Sequence, residues 1–465
     1  MNIVHYLGNL IQTGLGSLAA YLAAHVLLCL LPAFLIAGAL AALVPKEAIT
    51  KYLGRNTPKW ISYPAAAIGG FVLAVCSCTV MPLFAGIFRR GAGLGPAITF
   101  LFVGPAVNIL AISLTGVAIG MDIALARVIL SVGFGVVIGL VMAWVFRVSD
   151  AAHDADTNQH DAFAQGATVP TRTWVFFALL VGILLAGTLQ VGLLTNNYLT
   201  FQLGSGAALA AEGASAPVHW TYALQTWLNS IVPSNESLGI EGVSVHGVLL
   251  IGLLFCLGVT AWQGLDHVDD GFNRWTFAAL GMLTLTLLVA SFSVTAIPTG
   301  LRIGVPGKLI AMLALVGAVW WIGIKEFEVY EMQEWLWEMW RFVKQIMPLL
   351  LVGVFIAGMA RVLIPATWIT TLAGSNTVWA NMAGVFFGVF MYFPTLVEVP
   401  IAQTFLSLGM QRGPLLAYLL SDPGLSFQSI LITRKIIGDK KTAGYVGLVA
   451  VFSTLSGLIF GWFVG

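Results

Sequence analysis

The sequence predicts an all-α polytopic membrane protein of about ten transmembrane helices and two re-entrant broken-helix hairpins, in two inverted repeats. Three observations predict it. Hydrophobic residues make up 59% of the 465 positions and charged residues 9%, so no water-facing shell could cover a soluble core of this size. Two further apolar stretches have the wrong length for whole crossings and carry prolines. A spaced set of Gly, Pro and Asn near the start of the chain recurs near its end.

Full crossings are expected near 17–44, 94–118, 123–147, 173–194, 246–263, 275–297, 308–324, 342–363, 413–434 and 443–464. The stretches 60–88 and 378–408 are each too long for one helix and too short for two spans of ~20 residues. Pro82 lies within the first, and Pro394 and Pro400 within the second. A helix broken at such prolines frees backbone groups that membrane interiors tolerate only inside protein or along a wet cavity. Both stretches therefore read as hairpins that return to the side they left.

Charge placement gives an orientation. Lys46, Lys51, Arg55 and Lys59 put the 45–59 loop inside, and a returning first hairpin keeps Arg89 and Arg90 there. Arg434, Lys435, Lys440 and Lys441 also fall inside, whereas 195–244, which has no Lys or Arg, falls outside. Arg302, Lys308, Arg361 and Arg412 are exceptions near the outer face.

Pro45, Gly54, Asn56 and Thr57 recur as Pro365, Gly374, Asn376 and Thr377. After a short slip, Pro82, Gly91, Gly95, Pro96 and Pro105 recur as Pro400, Gly409, Gly413, Pro414 and Pro423. The basic 45–59 loop matches the uncharged 365–379, and the basic 434–441 loop matches 116–123, whose one charge is Asp122. Equivalent loops thus prefer opposite sides, as in an inverted repeat. The chain divides into a first repeat (1–147), a connecting section of four crossings with polar loops (148–341) and a second repeat (342–465). The 148–172 loop, with His153, Asp154, Asp156, His160 and Asp161, reads as a solvated linker without fixed ligand spacing. The Trp- and Glu-rich 326–341 reads as an interfacial helix leading into a crossing.

Composition also excludes functions. A net charge of +1 leaves no basic stripe for nucleic acid. No Gly-rich phosphate loop with a following Lys-Ser/Thr occurs, so neither ATP nor another cofactor is implied. The four cysteines, Cys29, Cys76, Cys78 and Cys256, all lie in apolar stretches and form no disulfide framework. The expected partners are a small-molecule substrate and the bilayer, with a homodimer left open.

Cys76 and Cys78 sit just before Pro82, at the expected break. Two thiols one residue apart in a non-helical turn can converge on one soft centre, such as a trivalent arsenical or a thiophilic metal. The matching part of the second hairpin holds Thr395 and Glu398, the latter the one charge in 378–408. A charge at mid-bilayer costs about 2.5–3.5 kcal/mol on insertion scales, so Glu398 is expected to bind substrate and exchange protons. Asp422, beside Pro423, is a second candidate for proton coupling. Asn108, Ser426 and Gln428 follow the two proline breaks and can contact substrate or satisfy freed backbone.

Cys76-Ser77-Cys78, then Pro82-Leu83, Gly91, Phe100-Leu101, Gly104-Pro105 and Asn108, resemble the arsenical permease (ArsP-type) family of predicted permeases. The resemblance covers 17–147 and 342–465. It implies a multi-pass bacterial inner-membrane transporter and not an enzyme, exporting trivalent organoarsenicals without ATP through membrane cysteines. On this chain those are Cys76 and Cys78. Proton antiport and arsenic resistance are the matching expectations. The rivals are transport of a metal ion or a small sulfur- or thiol-containing metabolite, and a membrane thiol–disulfide oxidoreductase. The last is disfavoured because 342–465 contains no cysteine.

Overall fold

The computed structural model describes residues 3–464 apart from 25, 45, 74–76, 108, 151–169, 190, 204–219, 232–242, 270, 298–299, 364–365 and 391–397. The chain opens with α1 (Ile3–Ala24), a π turn (Val26–Leu30) and α2 (Leu31–Ala42). It continues through α3 (Lys46–Leu53), α4 (Lys59–Leu73), α5 (Ser77–Arg89), α6 (Leu94–Ala106), α7 (Ile109–Ala118) and α8 (Met121–Val145). A middle section holds α9 (Thr171–Thr188), α10 (Gly192–Thr195), β1 (Asn197–Leu203), α11 (Trp220–Ile231), α12 (Val245–Gly264) and α13 (Arg274–Ala290). It ends with β2 (Ser293–Ile297), β3 (Gly300–Pro306) and α14 (Gly307–Glu326). The last part is α15 (Val329–Leu363), α16 (Ala366–Ala373), α17 (Val378–Phe390), α18 (Glu398–Ser407), α19 (Arg412–Leu425), α20 (Phe427–Ile437) and α21 (Asp439–Val464).

Among the described residues, six helices are long and apolar enough to cross a bilayer, namely α8, α9, α12, α14, α15 and α21. Their outer faces are apolar. Leu125, Ile129 and Trp144 of α8 stand exposed, as do Phe255 and Trp262 of α12. Such rows would associate in water and are at ease in lipid, where the helix pairs its own backbone groups.

The other expected crossings are interrupted. The 413–434 span is α19 and α20, bent by 43°. The 94–118 span is likewise α6 and α7, of 13 and 10 residues. The 275–297 span ends at Ala290, and 173–194 ends its long helix at Thr188, because the chain then turns into strands. Among the described residues those strands are the one departure from an all-α fold: an antiparallel sheet in the order β1-β3-β2. It pairs Gln202 with Arg302. That contact brings the cation-free 195–203 segment and Arg302 together.

The two proline-bearing stretches are each a pair of short helices, α4 with α5 and α17 with α18. At 1.5 Å per residue each helix is about 15–23 Å long, short of the ~30 Å hydrocarbon core. Pro82 and Pro400 do not mark the breaks. Pro82 lies inside α5. Pro400 is the third residue of α18, where a missing N–H costs nothing because first-turn donors lack helical partners anyway. Each stretch comes back to where it started. The Gly93 N–H donates to the Leu53 carbonyl at 2.8 Å, closing the loop around α4 and α5, and Gln411 N–H donates to Ala373 at 3.0 Å around α17 and α18.

The two ends of the chain therefore run through the same succession of helices, α3 to α8 and α16 to α21. Backbone detail repeats at a constant offset. Gly91 and Gly409 turn at φ of 86° and 96°, and Gly120 and Gly438 at 149° and 86°. Residues other than Gly rarely take such angles. In each end three helices stack through small residues, α4 on α6 on α8 and α17 on α19 on α21. A Cβ at Gly139 would lie 2.6 Å from the Gly95 carbonyl, and one at Gly457 2.5 Å from the Gly413 carbonyl. Backbones can approach this closely only at glycine.

Gly139→Val is accordingly expected to lower stability in detergent by about 1–3 kcal/mol through overpacking. Gly133→Val on the same helix, where a Cβ meets nothing within 4 Å, should leave the thermal midpoint unchanged. Equal midpoints for the two variants would contradict this packing.

Candidate functional site

The site is built by what breaks leave behind. Val107 leaves the helical region at φ −112° and ψ 46°, so the Ala106 carbonyl loses the N–H four residues on. Arg127 of α8 supplies a replacement, its Nε donating to that carbonyl at 3.2 Å. In the other end the chain leaves the helix at Ser426, with φ −55° and ψ 145°, and Tyr445 Oη donates to the Gly424 carbonyl at 3.1 Å. The offset that takes Gly91 to Gly409 takes Ala106 to Gly424 and Arg127 to Tyr445. The same orphan is thus capped twice from the same position, once by a cation and once by a phenol.

The cation has a second contact. Arg127 Nη2 donates to Glu398 Oε2 at 2.9 Å, and the two side chains are 0% and 1% exposed. Glu398, the one charge in 378–408, finds its counter-ion in a residue far away in the chain. Glu398 opens α18, where the unpaired first-turn N–H groups and the helix dipole favour a negative charge beside the guanidinium. Removing one partner of a buried pair typically costs about 3–5 kcal/mol, because it strands the other.

Around this pair each end lays its hairpin on the broken helix of the other. α18 packs along α7, with Gln403 Nε2 donating to the Ala118 carbonyl at 2.6 Å. α5 packs along α20, with Thr433 Oγ1 at 3.7 Å from Met81 Sδ. Beyond α18, Arg412 pairs with Asp122 at 2.8 Å. At the end of α5, Arg89 lies 3.6 Å from Glu338 of α15 and over the Phe342 ring.

The other expected residues separate. Asp422 is 2% exposed in the last turn of α19, backed by Gly388 of α17, where a Cβ would come 3.0 Å from the Asp422 nitrogen. Gln428 is 1% exposed, with neither amide atom hydrogen-bonded among the described residues. Ser426 caps α20 through Ser429 N–H at 3.4 Å. Cys78 is the second residue of α5. Cys76, Asn108 and Thr395 lie outside the described residues, as does 151–169 of the His- and Asp-containing loop. Among the described residues no group of three His, Cys, Asp or Glu could hold a metal.

Sequence reasoning missed Arg127, Tyr445 and Asp150. Asp150 accepts from the Leu94 N–H at 2.9 Å, capping α6, and lies 3.9 Å from Arg55. It ties the 45–59 loop to the start of α6. The hydrogen bond from Lys344 holds the Asp266 carboxyl below its usual range.

The profile of a family described as predicted permeases, of ArsP type, matches residues 13–462. The chain belongs to this permease family. A UPF0718 protein of Methanocaldococcus jannaschii (MJ0584) is 33% identical over 461 residues, 99% of this chain and 98% of its own length. The UPF0718 protein YraQ of Escherichia coli K12 is 28% identical over 143 residues, 30% of this chain and 39% of its own. No solved structure matches. Family and fold together make this a multi-pass membrane transporter, and the buried pair lies within the span of the permease match.

If the cap on the second break is what holds it, Tyr445→Phe removes the donor to Gly424 and should cost about 1–3 kcal/mol. Tyr330→Phe, at a side chain 62% exposed, should cost nothing measurable. Thermal unfolding of the purified permease in detergent compares the two, and an unaffected Tyr445→Phe would contradict the capping role.

Proposed function

We propose that this permease is a secondary-active exporter that alternates access between two inverted broken-helix units, with trivalent organoarsenicals as the first cargo to test. The observation that carries the reading is the pair of loop closures, Gly93 to Leu53 and Gln411 to Ala373. Each proline-bearing stretch enters and leaves on its own side and rests on the opposite end's broken helix. Reversed charge on the corresponding loops supports opposite orientations for the two units. Rocking one unit against the other would then open the space between them first to one side and then to the other.

In this reading Cys76 and Cys78 hold the arsenical. Each As–O bond of the hydrated cargo exchanges for an As–S bond, and the thiol proton leaves in water. No nucleotide site drives the cycle, so a proton gradient is the expected source. A proton on Glu398 would neutralise the carboxylate and weaken its hold on Arg127, which would couple protonation to parting of the two units. Asp422 is the second candidate for that role.

Everted membrane vesicles test this directly. With an inward-acidic gradient they should accumulate methylarsenite, and Cys76→Ser or Cys78→Ser should cut the initial rate at least tenfold with expression unchanged. The expectation rests on Ser keeping the size of Cys and losing its softness. Undiminished accumulation by both variants would end the thiol site, and no accumulation by the wild type would end the organoarsenical assignment.

A further inference from the structure

The grip of Arg127 on Glu398 is incomplete. Guanidinium and carboxylate match as a two-bond fork, yet the pair is joined by one bond, Nη2 to Oε2. Arg127 Nη1 and Glu398 Oε1 are both buried and hydrogen-bond with nothing among the described residues. Inside a membrane protein an unfilled charged donor and acceptor are costly. Their persistence side by side marks a place where partners are exchanged.

The surroundings favour negative charge. α18, ten residues long, begins beside Arg127. Nη2 of Arg127 reaches the first residue of α18, while its Nε holds the carbonyl of Ala106, the last residue of α6. The positive end of α18 and a guanidinium thus meet at one spot, the arrangement that receives anions. The anion now there is tethered: it is the protein's own Glu398. At the corresponding position of the other end stands Tyr445, which caps its carbonyl and carries no charge. Capping alone therefore does not require a cation.

We propose that Arg127 is a binding site for a small carboxylate or oxyanion, occupied in this state by the Glu398 carboxylate as a tethered competitor. A free anion offers two oxygens to Nη1 and Nη2 and replaces the single bond by a fork. Arrival of the anion and departure of Glu398 are then one exchange. Because Glu398 leads α18 and Arg127 sits on α8, that exchange breaks one buried tie between the two ends of the chain. The placement of this site in a transport path rests on the permease reading; the binding itself does not.

The test uses the purified full-length chain in detergent with formate as the probe, at constant ionic strength set with chloride. Glu398→Gln removes the tethered competitor and should bind formate at least ten times more tightly than wild type, read by calorimetry and by a formate-dependent rise in the thermal midpoint. The double variant Arg127→Leu/Glu398→Leu, which removes both members of this pair, should show neither. Formate affinity in Glu398→Gln no greater than in wild type overturns the site, as does an equal response in the double variant. Should Glu398→Gln fail to fold, Glu398→Asp carries the test. Its shorter side chain draws the carboxylate back from Arg127, so formate must bind more tightly than to wild type, and equal affinity overturns the proposal. Absence of methylarsenite flux in vesicles would refute the cargo assignment and leave these binding results untouched.

Discussion

A peptide carbonyl freed inside hydrocarbon must find a donor, and that requirement shapes the centre of this permease. The breaks after Pro105 and Pro423 interrupt helices that would otherwise satisfy themselves. Each leaves a carbonyl, Ala106 or Gly424, without its N–H. Water is not available at that depth as a general remedy, so a side chain from the next long helix takes over. In one end it is Tyr445. In the other it is Arg127, and the choice of a cation has a further consequence: the charge itself needs a partner, and Glu398 at the start of α18 is that partner. Local backbone repair in one end is thereby coupled to the position of a hairpin from the other.

Close packing makes that coupling mechanical. The stacks α4–α6–α8 and α17–α19–α21 are held by glycine contacts that leave little room for adjustment within each end. The contacts between ends combine apolar packing, such as Phe134 against Phe452 and Phe102 beneath Gly424, with single side-chain bonds: Gln403 to Ala118, Arg412 to Asp122 and the buried ion pair. In the proposed alternating-access cycle the buried ion pair would be the bond exchanged between the two stacks. The outer faces of α8 and α12 are apolar and suit a lipid boundary.

Much of this was legible in the sequence, for identifiable reasons. Crossing helices announce themselves by composition, and prolines with flanking glycines mark the broken segments. Glu398 stood out because an acid in an apolar stretch is expensive. The same argument applies to Arg127, a cation in the apolar run between Asp122 and Arg147, and it would have found the second half of the pair. The pairing itself was not legible, since 271 residues separate the partners and nothing local says which distant charge will meet which. Tyr445 carries no such signal, because a tyrosine in a membrane helix looks like packing until the carbonyl it reaches is known. The small sheet was hidden for a related reason: strands of five to seven residues, separated by two crossings, read as loops until their partners are in place. The breaks were read at Pro82 in one stretch and at Pro394 and Pro400 in the other; Pro82 lies inside α5, Pro400 in the tolerant first turn of α18, and Pro394 outside the described residues.

The central claim is that Arg127 and Glu398 act as one unit joining the two ends. A double-mutant cycle on reversible unfolding in mixed micelles measures it most directly. Arg127→Leu and Glu398→Leu should each lose about 3–5 kcal/mol by stranding a buried charge, and the double variant should lose far less than their sum, with a coupling of at least about 2 kcal/mol. Single losses that simply add in the double variant would show that the two side chains do not depend on one another, and the account would be wrong.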